Sequence, residues 1–521
     1  MGKLFKAVAF VTIFSVLTRA LGFLLRVYLS RVLGAELLGT YQVAMSVFGV
    51  LLTLVASGLP TVISRYVSFL SNNGDRRGAT KMVSAGLVVA LVTSISVSVI
   101  ILLCPKLLNL IFTSSSSTKV LLLLLPGVIS SSVYTILRGA MWGQKHFFTI
   151  SFAEFFEQLV RLIILAILIT LPLNMRLEER AGLSLSLACI VSAAFVVVCY
   201  FAFGGKLSNP KGGFKTLLKT STPITAVRTA SGLVTSIISI IIPARLMLYG
   251  YTAGEALAQF GILMGMTFPM LMIPGTLISS LAVAIIPSLS EQTTNIDKDV
   301  KDFGALKAQI NMAIGLSVVI SIILLPAYFC MGTDLGEFLF SNRTAGYFLS
   351  ATCLIMIPLG LNQITSCVLN AVGLEMKSLK NYVAGAVLLF ICIYFLPKYI
   401  GVWALVLGMT LLSLTTSVLN LVMLKKRDLL SGTVIKVLFV CLGLCAPATL
   451  LSKLCYNLLK AFLPRFLALM FGGTLSVVFI GTLLLLTNTA NIRAFVFKRK
   501  KSAARPLAQK SKFVTTDNKI C

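Results

Sequence analysis

Histidine, tryptophan and acid are scarce in this chain. Its 521 residues include one histidine, His146, two tryptophans, and 16 acids against 45 lysines and arginines. One histidine argues against a histidine-based metal site or catalytic triad. The first acid is Glu36, and no aspartate precedes Asp75. No Gly-rich run ends in Gly-Lys-Ser/Thr, so ATP is not the direct energy source. No nucleophile and base stand in a catalytic spacing, which disfavours an enzyme. The 11 cysteines are scattered, mostly within apolar runs (Cys189, Cys199, Cys367, Cys392, Cys441, Cys445). They have neither metal-ligand nor disulfide-framework spacing.

Hydrophobic residues make up 57% of the chain and charged residues 12%. The mean hydropathy is +0.97. No ordinary soluble domain has this composition. Apolar runs long enough to span a bilayer recur from end to end, so the fold class is an all-α polytopic membrane protein. A net charge of +29 can point to nucleic acid, but the bases sit in short loops and the C-terminal tail. That distribution follows the positive-inside rule, so nucleic acid is not an expected partner. The first run is too long and too charged for a cleaved signal peptide.

Fourteen membrane segments are predicted, near 5–33, 40–70, 82–112, 119–143, 148–171, 182–204, 223–248, 256–289, 305–332, 345–371, 379–399, 401–423, 433–452 and 463–488. Alternate connections are basic: Arg76, Arg77 and Lys81; Lys145; Lys206 to Lys219; Lys298, Lys301 and Lys307; Lys377 and Lys380; Lys425 to Arg427. Lys3, Lys6 and the tail from Lys498 to Arg505 fall on the same side. Both termini are therefore expected in the cytoplasm.

The chain also repeats itself. Leu123-Leu124-Leu125-Pro126 leading to Leu137-Arg138-Gly139 is echoed by Ile355-Met356-Ile357-Pro358 leading to Leu369-Asn370-Ala371. The run 56–63 is echoed by 279–286, and Tyr41 and Met45 by Phe260 and Met264. The offset is about 220–230 residues, close to six segments, which implies a parallel repeat of two lobes with the substrate path between them. The expected divisions are 1–222, an N-lobe of six segments with a basic cytoplasmic linker; 223–424, a C-lobe of six; 425–490, two extra segments; and 491–521, a basic disordered tail.

In segment one Ser15, Arg19, Gly22, Arg26 and Ser30 recur at steps of four, three, four and four, and so share one face. An arginine at bilayer depth costs roughly 2.5–3.5 kcal/mol on insertion scales. The stripe should therefore face the protein interior or a wet cavity. Arg19 and Arg26 lie about 10 Å apart along the helix axis. Guanidinium groups grip phosphate with paired hydrogen bonds, so the two suit a large anion such as a pyrophosphate. The competing reading is a structural bond to a neighbouring helix.

Segment seven carries a weaker stripe, Arg228, Ser231, Thr235 and Ser239. Arg228 is a third candidate for the anion, whereas Arg245 reads as a surface residue. Ser15, Arg65 and Arg138 are secondary candidates, the two arginines lying near the cytoplasmic ends of their segments. Segment five holds Glu154, Glu157, Gln158 and Arg161 at membrane depth. Glu157 and Arg161 have the favourable order for an i, i+4 ion pair; the sharper reading is a coupling-ion or gating site. Glu154 is expected to pair with Arg138 or Lys145. Neither segment one nor segment seven holds a carboxylate for a cation.

The run Thr18-Arg19-Ala20-Leu21-Gly22-Phe23-Leu24-Leu25-Arg26, with Ser30-Arg31-Val32-Leu33-Gly34 and Gly39-Thr40-Tyr41, resembles the N-terminal signature of the stage V sporulation protein B and polysaccharide transporter family. That family belongs to the multidrug/oligosaccharidyl-lipid/polysaccharide (MOP) flippase superfamily. Gly58-Leu59-Pro60 with Ile63-Ser64-Arg65, Leu137-Arg138-Gly139 with Gly143, and Glu157-Gln158 with Arg161 extend the likeness. The resemblance implies a two-lobed, V-shaped transporter flipping undecaprenyl-pyrophosphate-linked saccharides by alternating access. MurJ-type lipid II flippases carry an arginine before Leu-Gly-Phe, which Arg19 matches, and then an Arg-Asp pair. Here those two positions read Leu25-Arg26: the arginine is shifted and the aspartate missing.

The reading is thus a flippase for lipid II or a related envelope precursor, multi-pass in a bacterial cytoplasmic membrane. Its partners would be the lipid-linked saccharide, membrane lipids and cell-wall synthesis proteins. No cofactor is expected, and energy would come from the membrane potential or a monovalent cation. The alternatives are a cation-coupled multidrug antiporter on the same fold, a membrane-embedded glycan polymerase, and a non-transporting scaffold.

Overall fold

The structure is a computed structural model that describes residues 2–103, 108, 112, 114–295 and 300–487. The expected tail, 491–521, and Lys298 lie outside these residues, as do the side chains of Lys3, Lys6 and Lys301. No strand occurs among the described residues. The helices are α1 (Gly2–Ala56), α2 (Leu59–Asn72), α3 (Arg76–Leu103), α4 (Ser115–Gly143), α5 (Phe147–Thr170), α6 (Leu177–Ala202) and α7 (Phe214–Leu248). There follow α8 (Ala253–Gly261), a π segment (Ile262–Thr267), α9 (Phe268–Leu271), α10 (Ile273–Asn295), α11 (Val300–Ile322) and α12 (Leu325–Phe340). Then come α13 (Arg343–Thr352), a 3₁₀ turn (Cys353–Ile355), α14 (Met356–Ala371), α15 (Glu375–Phe395), α16 (Pro397–Ile400), α17 (Trp403–Lys426), α18 (Gly432–Phe462) and α19 (Arg465–Leu486).

Among the described residues 11 helices are long and apolar enough to cross a membrane, or 12 if the bent pair Ala253–Leu271 and Ile273–Ala282 is one span. That is fewer than the fourteen expected. Phe10–Asn72 forms one run of 63 residues, where segments one and two were expected separately. The α5 helix, expected as segment five, carries Glu154, Glu157 and Arg161 within 24 residues and is too charged to qualify. Large apolar side chains on the outer faces, such as Val92, Ile95, Val99 and Leu103 of α3, stay exposed. A bilayer is the solvent such faces require.

The boundaries follow local chemistry. Gly34 takes φ 68° inside α1 and kinks it where segment one was expected to end; only a residue without Cβ adopts this conformation at little cost. The chain breaks again at Ser57-Gly58, and Pro60 lies in the first turn of α2. Pro326 likewise opens α12, so expected segment nine is two helices and runs on to Phe340. Pro126, by contrast, lies inside an unbroken α4.

Small residues bring the N-terminal and C-terminal halves together. A Cβ on Gly39 would lie 1.9 Å from the Leu257 carbonyl oxygen, and one on Gly261 2.2 Å from that of Ala35. The α1 and α8 backbones therefore touch just beyond the Gly34 kink. Farther along, the Ser236 hydroxyl of α7 donates to the Ser46 carbonyl at 2.7 Å, and the Ser46 and Ser239 hydroxyls bond each other. At the α1–α2 break a Cβ on Gly58 would meet the Ser221 carbonyl oxygen at 2.5 Å. With no hydrophobic drive between helices in lipid, such close packing and hydrogen bonding hold the halves, at about 0.6 kcal/mol per bond. One apolar core runs through both halves, with Leu25, Tyr41, Leu257, Phe260 and Ile314 buried; another, with Leu59, Ile63, Ile136, Tyr200 and Leu217 buried, joins α2 through α6 to the start of α7.

Candidate functional site

The α1 stripe is only partly covered: Ser15 and Gly22 are half-buried and Ser30 is buried, whereas Arg19 and Arg26 are exposed. Gly22 lies against Gln158 of α5, whose side-chain oxygen would be 3.8 Å from a Cβ. Ser30 is 1% exposed and bonds the Val27 carbonyl, while Ser15 is half-buried. Phe14 fixes the helix pair by edge-on ring contacts with Phe148, Phe152 and Phe155 of α5. The polar stripe and the α5 charges are thereby brought to one interface inside the N-terminal half.

Arg26 lies there within electrostatic reach of Arg161 and Tyr41. It makes no ion pair or hydrogen bond among the described residues. Arg161 donates to the Tyr41 hydroxyl at 2.5 Å. This corrects the expected Glu157–Arg161 ion pair: no such pair within 4.0 Å occurs among the described residues. The spacing was favourable, but a phenol on the adjacent helix takes the guanidinium instead. The Arg161 Nε is buried without a partner. Glu157 has Arg161, Arg138 and Glu154 within electrostatic reach. Glu154 pairs with Arg138, the first of the two partners expected for it. The cluster therefore carries three arginines, Arg26, Arg138 and Arg161, against two glutamates.

Arg19 and Arg228 sit away from that cluster. Each crosses between the halves to a main-chain carbonyl. The Arg19 guanidinium of α1 donates to the Thr276 oxygen of α10 at 2.9 Å. The Arg228 guanidinium of α7 donates to the Ser57 oxygen, at the break between α1 and α2. Both side chains remain exposed. The three primary candidates are thus not one constellation: Arg26 belongs with Arg161, while Arg19 and Arg228 span the halves at separate points. Arg65 lies apart from all of them, in an open cavity with Lys145. Arg245 packs against tyrosines, 4.2 Å over the Tyr394 ring, and donates to the Tyr249 hydroxyl at 2.6 Å.

Several residues were not anticipated. Tyr41 had been noted only as part of the repeat, with no signal for its bond to Arg161. Arg31 of α1 donates to the Leu339 carbonyl at 2.7 Å and to that of Phe338, capping the end of α12. Asp334 of α12 accepts from the Tyr456 hydroxyl at 2.6 Å and the Lys460 ammonium at 2.9 Å, and Arg465 adds a 2.8 Å pair with Glu337. Glu178 and Glu179 are buried in the first turn of α6, which starts earlier than the expected 182; acids favour that end of a helix dipole. No cluster of three metal-binding side chains occurs among the described residues.

These features define a multi-pass, all-helical membrane protein. A solved structure described as the lipid II flippase MurJ in an inward closed conformation superposes with a TM-score of 0.70 at 14% identity, covering 93% of this chain and 99% of that one. An inward-facing multidrug resistance MATE transporter of the MOP superfamily gives 0.65 at 15% identity, covering 79% and 94%. Residues 4–292, more than half of the chain, match the family model described as polysaccharide biosynthesis protein. The chain belongs to that family. It is also 25% identical over 382 residues to stage V sporulation protein B of Bacillus subtilis (strain 168), covering 71% of this chain and 73% of that protein. The fold is the one seen in those two solved transporter structures.

Proposed function

We propose that this protein flips a lipid-linked oligosaccharide, with undecaprenyl pyrophosphate as carrier and lipid II or a related envelope precursor as cargo, across the bacterial cytoplasmic membrane. The observation that carries the reading is the pair Arg26 and Arg161. Two guanidinium groups from adjacent helices feel each other's charge, and among the described residues neither has an acid within 4.0 Å and the buried Arg161 Nε–H has no acceptor. An unsatisfied buried donor costs about 1–3 kcal/mol. A phosphate oxygen would supply the missing acceptor and screen the repulsion between the two cations.

In this reading Arg26 and Arg161 hold the pyrophosphate. Arg19 and Arg228 release their carbonyls when the two lobes part, and join the anion while the site is open. The prenyl chain stays in lipid, and both termini lie in the cytoplasm, as the basic loops favour. The MurJ-like fold supports the lipid II reading. The MATE-like fold leaves the drug antiporter as the alternative, but an arginine-rich site is a poor receptor for organic cations.

The test is complementation in cells depleted of their lipid II flippase, read as accessibility of the lipid II headgroup to an outside label. The chain is expected to restore labelling and R26A to lose it. If R26A labels as fully as the intact chain, the anion site is wrong. If the intact chain labels nothing and instead exports organic cations, the antiporter reading replaces it.

A further inference from the structure

Apart from the arginine cluster, the chain forms a basic concavity at the end of α2. It has a volume of about 560 Å³ and is lined by Ser64, Arg65, Ser68, Phe69, Asn72, Trp142, Gly143, Lys145 and Phe147. The polar side chains in this lining are two cations, two hydroxyls and one amide, with no carboxylate. The nearest acid in sequence, Asp75, is engaged with the Gly78 backbone N–H at 2.8 Å.

The local fold builds this composition. A Cβ on Gly143 would lie 2.7 Å from the Ser64 carbonyl oxygen, so the end of α4 closes directly onto α2. The chain then turns through Lys145 at φ 66°, a conformation usually left to glycine at helix ends. That turn sets the ammonium on the same concavity as Arg65. Trp142 meets Phe147 edge-on at 5.3 Å, and Trp142 and Phe69 are 42% and 63% exposed.

The lining comes from residues 64–72 at the end of α2 and from the α4–α5 turn. These are ends of membrane segments, the level at which lipid headgroups lie. Exposed tryptophan and phenylalanine beside arginine and lysine match the interfacial belt. Basic pockets between membrane helices take anionic headgroups. A zwitterionic lipid would bring an ammonium group for which this lining has no acid.

We propose that this concavity binds the phosphodiester headgroup of an anionic membrane phospholipid, held by Arg65 and Lys145 with Ser68 and Asn72 as neutral donors and the aromatic rings against its upper chains. This is a resident lipid site, separate from the path proposed for the transported saccharide, and it does not depend on that reading.

Trp142 makes it testable, because the chain's other tryptophan is Trp403. The full-length W403F variant is reconstituted in phosphatidylcholine bilayers. These contain a small fraction of either acyl-brominated phosphatidylglycerol or acyl-brominated phosphatidylcholine. Brominated phosphatidylglycerol is expected to quench Trp142 with roughly tenfold higher apparent affinity, and R65Q/K145Q in the same background should bring the two lipids level. Equal quenching by the two lipids before those substitutions overturns the proposal, whether or not the double variant folds. A phosphatidylglycerol preference that survives R65Q/K145Q overturns it as well. Inorganic pyrophosphate in the water phase is the third arm. If it relieves quenching as fully as unbrominated phosphatidylglycerol does, the site takes free phosphate and the lipid assignment falls; little relief is expected.

Discussion

Replacing Arg26 or Arg161 with alanine removes one of two neighbouring cations, and each change should weaken binding of a pyrophosphate ligand about tenfold to a hundredfold, as loss of a charge-assisted hydrogen bond does. Isothermal titration of the purified protein with a short-chain prenyl pyrophosphate checks this; unchanged affinity in both variants would place the anion elsewhere. Y41F is the contrasting change. It removes the acceptor of Arg161 and should lower stability by about 1 kcal/mol while sparing affinity, because the guanidinium is freed rather than lost. At this scale the sequence was informative in part. The step of three and four from Ser15 to Ser30 predicted an inward stripe; Ser30 is buried, while Arg19, bonded to Thr276, and Arg26 are exposed. Which residue each arginine would meet was not legible. Arg161 had an acid at the favourable spacing in its own helix, and only the packing of α1 against α5 brought Tyr41 nearer.

Helix contacts across the molecule depend on residues without side chains and on one acid. G39A puts a methyl group against the Leu257 carbonyl, so α1 and α8 must separate at the Gly34 kink. The expected cost is roughly 1–3 kcal/mol. Spin labels on these two helices should report a longer distance than in the unsubstituted protein; an unchanged distance would mean that this contact does not hold the halves. D334A breaks a different joint, between α12 and the pair α18 and α19, where Tyr456, Lys460 and Arg465 converge. Part-exposed networks of this kind contribute roughly 1–2 kcal/mol. Thermal unfolding should show the loss, and rapid proteolysis in the α18–α19 connection should accompany it. The helices themselves were largely visible in the hydropathy pattern. Their breaks were less so. Gly34 and Pro326 mark real interruptions, yet Pro126 sits in an unbroken helix. In a membrane protein neighbouring helices decide whether a proline interrupts its own, and a sequence does not show them.

Across the whole molecule the halves are joined by close backbone contacts at α1–α8, by hydroxyl bonds at α1–α7, and by Arg19 and Arg228 reaching carbonyls on opposite halves. One apolar core also runs through both halves, with Leu25, Tyr41, Leu257, Phe260 and Ile314 buried in it. The membrane class was legible from composition, and the polysaccharide biosynthesis family from the motif around Arg19. The partition of the arginines into a cluster around Arg161 and two cross-contacts was not, because it depends on how distant helices pack together. The claim tested most directly is that this fold moves a lipid-linked anion and that Arg26 and Arg161 carry it. The purified protein in vesicles, loaded with a fluorescent prenyl-pyrophosphate saccharide and exposed to a membrane-impermeant quencher, reports movement of the headgroup between leaflets. The account predicts rapid loss of protected fluorescence with the intact protein and a rate near that of empty vesicles with R26A/R161A. Equal rates for the intact and doubly substituted proteins would contradict it.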